Sequence, residues 1–244
     1  MRTFRVVIAY EGTRYSGWQV QTARETVQGW VIRAARPLLG EGVRVTGASR
    51  TDAGVHALRQ TVSIRSARAV PADVVARALN AELPRDIRVV ACAEADAGFD
   101  ARRAAVGKRY VYLIEDGAVP TPFLLRYAWH VPWPLDVARM RRALAPLRGR
   151  HDFSAFCAAA GRQHEPTCVI RALHVVRRRE RLAVFVSADR FLHHMVRNLV
   201  GSVVEVGRGA RPPEWLADVL AGRDRRRAGP TAPAPGLTLL RVMY

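Results

Sequence analysis

Residues 48–57 concentrate side chains that could do chemistry. Arg50, Asp52 and His56 place a cation, a carboxylate and an imidazole within seven positions, beside the hydroxyl of Thr51. An arginine two positions from a carboxylate lies on the same side of an extended segment, and a paired arginine keeps a carboxylate ionised, as a nucleophile or base requires. An aspartate two positions before a glycine is more often a solvated turn residue. The spacing alone therefore marks a candidate catalytic group without naming a reaction.

The complete string over residues 50–57 is more specific. It reads Arg-Thr-Asp-Ala-Gly-Val-His-Ala, and these eight consecutive residues coincide with the signature of the TruA family of tRNA pseudouridine synthases. The chain resembles this bacterial family here, although Ser49 stands where the family usually has glycine. The resemblance implies that Asp52 is the catalytic carboxylate and that Arg50 holds it ionised and oriented.

Two alternating tyrosines form a second candidate. In a strand, Tyr110 and Tyr112 point the same way and Arg109 points the other way. This pattern is typical of cross-strand packing, whereas the functional alternative is a ring stacked on an extruded base. Residues 108–112 resemble the family's second motif, which implies that Tyr110 stacks on the target uracil and could help shuttle the C5 proton. Ala104 replaces a serine that the family pattern leads us to expect.

Residues 193–198 read His-His-Met-Val-Arg-Asn inside a predicted helix over 191–206. Adjacent histidines lie about 100° apart on a helix and cannot share one metal as an i, i+4 pair does, so a zinc site is disfavoured. Arg197 lies off the apolar stripe, where a solvated arginine is the ordinary alternative. The string matches a family motif, which implies that Arg197 pairs with the catalytic aspartate.

Two further stretches match the family. Residues 11–19 form an aromatic and basic loop that resembles its opening motif, with Glu11 in place of an aspartate. Such a loop can stack bases and hold phosphates, or it can be a surface turn with Trp18 packed inward. Residues 151–156 also match, but they form no recognisable catalytic triad and are interpreted as structural.

The resemblance implies a complete reaction and its partners. Uridine at positions 38 to 40 of the tRNA anticodon stem-loop is isomerised to pseudouridine, with the base flipped out of its stack. Asp52 acts either as a nucleophile on the ribose or as a base at its C2′ atom; the sequence leaves both routes open. The family implies tRNA as the partner, a homodimer, and no cofactor or metal.

Composition agrees with a nucleic-acid partner. The 244 residues carry a formal net charge of +18 and a sequence pI of about 11.4, which favours polyanions and predicts binding that weakens steeply with salt. Cys92, Cys157 and Cys168 form no metal-binding pattern and are interpreted as reduced thiols. The sequence shows no signal peptide and no membrane span, so we expect a cytoplasmic protein.

Hydrophobic periodicity supplies the elements that must position these residues. The first half reads β-α-β-β-α-β, with helices over 27–39 and 71–79 and strands over 5–10, 43–46, 61–64 and 87–93. The order of elements predicts that the second half repeats this arrangement from a strand over 127–131, with helices over 135–147, 191–206 and 213–220 and strands over 169–177, 182–188 and 237–243. A strand over 109–114 lies between the halves.

This order predicts the α+β pseudouridine synthase core, a largely antiparallel sheet built from two ferredoxin-like halves with a central catalytic cleft. We place the halves at residues 1–104 and 105–244 and expect them to form one catalytic unit. Two other classes of protein remain as alternatives. One is a basic RNA-binding module without catalysis; the other is a hydrolase with an aspartate nucleophile, for which the loop offers no second carboxylate.

Overall fold

Ten strands and five α-helices lie in the two ranges that the computed structural model describes, residues 1–159 and 165–244. The strands are β1 (Arg2–Tyr10), β2 (Arg44–Gly47), β3 (His56–Ser66), β4 (Ile87–Ala95), β5 (Gly107–Asp116), β6 (Trp129–Val131), β7 (Gly149–Asp152), β8 (Thr167–Arg178), β9 (Arg181–Ala188) and β10 (Leu237–Met243). The helices are α1 (Val27–Leu39), α2 (Ala72–Glu82), α3 (Val137–Leu144), α4 (Met195–Gly207) and α5 (Trp215–Gly222).

The first compact unit comprises Met1–Val106 together with Thr238–Tyr244. Its elements follow the predicted order β-α-β-β-α-β, and antiparallel pairing gives the strand order β4-β1-β3-β2. This is a ferredoxin-like arrangement. The late strand β10 joins the unit by pairing parallel to the beginning of β3, with Thr238 opposite His56 and Leu239 opposite Ala57.

Local sequence explains these elements. In β1, Phe4, Val6 and Ile8 are fully buried, and their period of two is that of a strand with one face in the core. Before α1, the Thr26 hydroxyl accepts the backbone N–H of Gly29 at 3.3 Å, which satisfies a donor that the helix cannot satisfy itself. The helix therefore begins at Val27, as the sequence predicts.

The second compact unit comprises Gly107–Leu237. Strands β5, β9, β8 and β7 pair antiparallel in that order, and the short β6 pairs parallel to β5. The apolar side of α4 packs on this sheet. Val196, Leu199 and Val203 of the helix face Leu173 and Val184 of the strands across the core.

Several predicted helix and strand boundaries are wrong. Helix α4 begins at Met195 rather than at residue 191, because His194 has a φ of +60°, a left-handed conformation that a right-handed helix cannot contain. Helix α2 continues to Glu82 and ends before Pro84, since the residue preceding a proline avoids the helical conformation. Strand β3 begins at His56, so the predicted catalytic string ends inside a strand.

The starting point of the repeat in the second half is also wrong. Strand β5 pairs with β9 over eight residue pairs, whereas the predicted first strand, β6, has three residues and, within residues 1–159 and 165–244, pairs only with β5. Pro132 and Pro134 follow β6 and lack the N–H that would extend its ladder. Strand β7 was not predicted; it carries His151 and Asp152, which supports the structural interpretation of residues 151–156.

The predicted α+β class with largely antiparallel strands is confirmed. The division at residues 104 and 105, the single catalytic unit and the central cleft stay predictions. Among the helices in the described ranges, none is long and apolar enough to cross a membrane.

Candidate active site

The loop that carries Asp52 connects β2 to β3 in the first unit. Asp52 is partly buried, and its carbonyl oxygen accepts the backbone N–H of Val55 at 3.2 Å, which closes a tight turn. The turn leaves the carboxylate at the tip of the loop, with neighbouring residues Thr51 and Val55 buried on either side. Asp52 is therefore partly buried in a loop whose neighbouring residues Arg50 and Ala53 are exposed.

Two polar side chains fix the base of this loop. Gln60 is fully buried; its amide donates to the carbonyl of Ser49 at 2.6 Å and accepts the Ser49 N–H at 3.2 Å. The hydroxyls of Tyr10 and Thr51 are hydrogen-bonded at 2.8 Å. A buried amide that is satisfied on both sides is costly to move, so the backbone on the N-terminal side of Asp52 has little freedom.

A second loop, residues 11–19, packs against the first. The N–H of Trp18 donates to the Thr51 carbonyl at 3.0 Å, and the N–H of Gly54 donates to the Tyr15 carbonyl at 3.3 Å. A β-carbon at Gly17 would lie 2.5 Å from the Thr51 oxygen, and one at Gly12 would lie 2.0 Å from the Val55 oxygen. Only glycine permits so close an approach.

The sequence left open whether Trp18 packs inward, and the structure shows that it does. Trp18 is only 1% exposed, and its ring covers Gly47 of β2. Tyr15 is also buried, and its hydroxyl donates to the Asp86 carboxylate at 2.5 Å. Both aromatic side chains of the loop face the core of the first unit, while Arg14 remains exposed.

His56, near the end of the string over residues 50–57, connects it to the loop over residues 11–19. Its ring is 4% exposed, and Nδ1 accepts the backbone N–H of Gly12 at 2.9 Å. The Glu11 carboxylate lies 3.4 Å from the same nitrogen. Because Nδ1 is an acceptor here, the neutral ring carries its proton on Nε2. This arrangement gives His56 a role in holding the two loops together.

Arg50 lies two residues before Asp52 in the loop between β2 and β3. Its side chain is exposed. Residue 50 precedes the turn and points into solvent. Its role toward Asp52 therefore stays a prediction.

Tyr110 and Tyr112 lie on β5 in the second unit, and both are buried. The ring of Tyr110 meets Phe191 edge to face, with centroids 5.1 Å apart and planes at 87°. The hydroxyl of Tyr112 donates to the carbonyl of Pro233 at 2.7 Å, and burial raises the pKa of this phenol well above 10.0. Tyr112 is thus a packing residue, while Tyr110 keeps its predicted role as a proposal.

Arg197 lies in the first turn of α4. Its Nε donates to the carbonyl of Ala232 at 2.7 Å, and the N–H of Ala232 donates back to the Arg197 carbonyl at 3.1 Å. His193 and His194 precede the helix, with ring centroids 4.0 Å apart, so the predicted helical spacing does not apply to them. The pairing of Arg197 with Asp52 stays a prediction.

Sequence reasoning missed the residues that hold this machinery in place. Gln60 had a detectable signal, because it is an amide between β-prone residues of a buried strand. Ala232 had none, since it acts through backbone atoms that every residue possesses. Arg225, described below, lies among neighbouring arginines that no pattern separates.

The fold and these local arrangements define an α+β protein of the pseudouridine synthase class. The family model for tRNA pseudouridine synthase matches residues 6–102 and 143–244, and the chain belongs to that family. It is 44% identical over 245 residues to tRNA pseudouridine synthase A of Myxococcus xanthus, covering 100% of this chain and 92% of that protein.

Other relatives agree. The chain is 43% identical over 246 residues to tRNA pseudouridine synthase A of Moorella thermoacetica, with 100% of both chains covered. Among solved structures, it is similar to the archaeal box H/ACA sRNP Nop10–Cbf5 complex, with a TM-score of 0.37 and 11% identity over 92% of this chain and 59% of that chain. That likeness is too weak to support a conclusion.

Proposed function

We propose that this protein isomerises uridine to pseudouridine in tRNA, at positions 38 to 40 of the anticodon stem-loop. The observation that carries the proposal is the intact string over residues 50–57, in a chain that its family matches over both units. The reaction breaks the N1–C1′ bond, turns the uracil and forms a C5–C1′ bond. The C5 proton leaves and N1 ends protonated, so atoms balance without a group donor.

Each candidate residue has a distinct task in this proposal. Asp52 acts as a nucleophile on the ribose or as a base at C2′, and Arg50 and Arg197 keep its carboxylate ionised and oriented. Tyr110 stacks on the flipped base. Flipping costs about a few kcal/mol, which contacts between phosphates and a protein of net charge +18 would offset.

The loop contacts support the role of Asp52 in particular. A catalytic group has to be held near its productive position, and misplacement by about 1 Å can cost about a hundredfold in rate. Gln60 and the loop over residues 11–19 restrain the backbone on both sides of Asp52.

We further propose that the protein acts as a homodimer in the cytoplasm, with tRNA as its partner.

The decisive experiment compares Asp52→Asn with Asp73→Asn. Asp73 is an exposed aspartate of α2 whose carboxylate pairs with Arg77 at 2.8 Å, so it serves as a matched control. Both proteins and the wild type are mixed with tRNA transcript carrying tritium at uracil C5, and release of tritium is measured. We expect release by the wild type and by Asp73→Asn, and none by Asp52→Asn, with tRNA binding retained in all three.

Each other outcome has a definite meaning. Release by Asp52→Asn at the wild-type rate would assign the catalytic carboxylate to another residue. No release by any of the proteins, with tight binding of tRNA, would favour the RNA-binding module without catalysis. Release that maps outside the anticodon arm would keep the reaction and overturn the proposed positions.

A further inference from the structure

A buried polar cluster lies beside Arg197 in the second unit. It joins Asn198 of α4 to Arg225 and Thr231, and we call these three residues the clamp. Asn198 is fully buried, and Arg225 and Thr231 are partly buried. None of the three has a task in the proposed reaction.

Every side chain of the clamp is bonded to the others. One Nη of Arg225 donates to the Asn198 carboxamide oxygen and to the Thr231 hydroxyl, both at 3.1 Å. The Thr231 hydroxyl donates to the same Asn198 oxygen at 2.7 Å. The other Nη of Arg225 donates to the carbonyl of Gly229 at 2.8 Å, and the Asn198 amide donates to the carbonyl of Phe156 at 2.7 Å.

The segment that follows Arg225 packs closely against α4. The N–H of Gly229 donates to the hydroxyl of Ser202 at 2.9 Å, and that hydroxyl donates to the carbonyl of Asn198 at 2.7 Å. A β-carbon at Gly201 would lie 1.7 Å from the Pro230 oxygen. The backbone of residues 229–231 therefore touches the helix directly.

Arg197 and Ala232 are hydrogen-bonded to each other, and two residues of the clamp are their neighbours in the chain. Asn198 follows Arg197 in the helix, and Thr231 precedes Ala232, whose carbonyl accepts the Arg197 Nε–H at 2.7 Å. Since Ala232 also donates its N–H to the Arg197 carbonyl at 3.1 Å, both ends of the arginine are held by one residue. With Nε bonded, the plane of the guanidinium is fixed.

We propose that Arg225 is a positioning residue for the reaction: through Thr231, Gly229 and Asn198 it fixes the Ala232 carbonyl, and that carbonyl orients the guanidinium of Arg197. The inference rests on the proposed function, because it takes Arg197 to be the cation that faces the reacting carboxylate. Burial lowers the pKa of Arg225, but arginine stays protonated in proteins, and each of its bonds in the clamp is a charged donor meeting a neutral acceptor.

A matched control contacts the other end of α4. Arg139 of α3 is also partly buried, and it donates to the carbonyl of Val206 in the last turn of α4 at 3.4 Å and to that of Arg211, just beyond the helix, at 3.1 Å. Removing it takes away the same kind of side chain and the same kind of bonds from α4 without touching Ala232. A general loss of stability would affect both variants, whereas a loss of positioning would affect only Arg225→Met.

The experiment measures tritium release as kcat and KM for tRNA in Arg225→Met, Thr231→Val, Arg139→Met, Arg197→Met and the double variant Arg197→Met/Arg225→Met. We expect Arg225→Met to lower kcat by about tenfold to a hundredfold with KM changed less than about twofold, and Thr231→Val to lower it less. The double variant should be no slower than Arg197→Met alone, because two residues that act through one group are not additive. Arg139→Met should keep the wild-type kcat.

A second measurement does not depend on activity. Exchange of the Arg197 Nε–H with solvent is followed by NMR in full-length protein, and the signal is assigned by its loss in Arg197→Met. We expect slow exchange in the wild type and in Arg139→Met, and exchange at least about tenfold faster in Arg225→Met, because its acceptor is no longer fixed.

These readouts separate the two proposals. Wild-type protein that releases no tritium would overturn the function, while the exchange rates would still decide whether the clamp orients Arg197. An unchanged kcat or an unchanged exchange rate in Arg225→Met would overturn the positioning role. Losses that multiply in the double variant would do the same, and a raised KM with normal kcat would make Arg225 an RNA contact instead.

Discussion

Gly17 has a φ of +86° and turns its α-carbon toward the Thr51 carbonyl, one residue before Asp52. Neither feature involves a side chain, yet both determine how closely the loop over residues 11–19 approaches the loop that carries Asp52. The position of the backbone beside Asp52 depends here on a residue that has no side chain at all. Single glycines in the loop over residues 11–19 therefore help to fix the loop that carries the proposed catalytic carboxylate.

We predict that Gly17→Ala lowers both stability and rate. The left-handed backbone costs alanine about 1–2 kcal/mol, and its β-carbon would lie 2.5 Å from the Thr51 oxygen, which forces the catalytic loop to shift. Urea unfolding measures the first effect, and tritium release measures the second. Gly98→Ala is the control, because a β-carbon there meets nothing within 4 Å and should change stability by less than about 0.5 kcal/mol. Equal behaviour of the two variants would contradict the packing argument.

Motifs identified the residues that the proposal uses for chemistry, and they did so without the structure. Asp52 and Arg197 lie in specific sequence motifs, and neither a turn nor a surface helix would require so specific a sequence. The residues that position them could not be found in this way. Arg225 has its place in the clamp only because residues 225–231 fold back on α4, and a tertiary contact of this kind leaves no periodic signal in the sequence.

At the scale of elements, the first residue of α1 was predicted correctly and that of α4 was not. Thr26 before an apolar stripe gave the beginning of α1. Helix α4 has no side-chain cap, and its preceding residue is a left-handed histidine, so an unbroken apolar pattern extended the predicted helix too far. Histidine rarely adopts that conformation, and sequence gives no reason to expect it.

We predict that Thr26→Ala lowers the free energy of unfolding by about 1 kcal/mol, because the partly buried N–H of Gly29 loses its acceptor. Thr26→Ser keeps the hydroxyl and should lose much less. Urea unfolding of the two variants beside the wild type checks the difference. Equal losses would mean that the methyl group of Thr26, and not its hydroxyl, is what α1 requires.

At the scale of the whole molecule, each unit contains a buried tyrosine whose hydroxyl is a donor. Burial is the main cause of the raised pKa of Tyr15 in the first unit and of Tyr112 in the second, and the hydrogen bond to Asp86 adds to it at Tyr15. A raised pKa means that the folded state keeps a proton that the unfolded chain loses above pH 10.0. Stability is therefore fully present below pH 10 and falls as the pH rises above it.

We predict that alkaline unfolding is steep, with about 1.4 kcal/mol lost per pH unit above pH 10 for each such tyrosine. Urea unfolding at a series of pH values measures this slope. Tyr112→Phe should be less stable than the wild type at neutral pH, because it loses the bond to Pro233, but its slope above pH 10 should be shallower by about one proton. An unchanged slope would show that Tyr112 ionises in the folded protein.

The two-unit organisation was only partly accessible from sequence. The β-α-β-β-α-β order of the first half followed from periodicity, because each element is long enough to carry a pattern. That β10 belongs to the first unit did not follow, since strand pairing between residues far apart in the chain depends on where both edges lie in space.

The return of β10 also bears on how the protein is made. Thr238 and Leu239 pair with His56 and Ala57 at the end of the string over residues 50–57, yet the whole second unit, Gly107–Leu237, lies between the two pairs in the chain. A ribosome working from the N-terminus must therefore finish the second unit before it supplies the strand that completes the first. A nascent chain that stops within the second unit carries every residue of the Asp52 loop but lacks the strand that pairs with the end of that loop, so the first unit is complete only after β10 has been made.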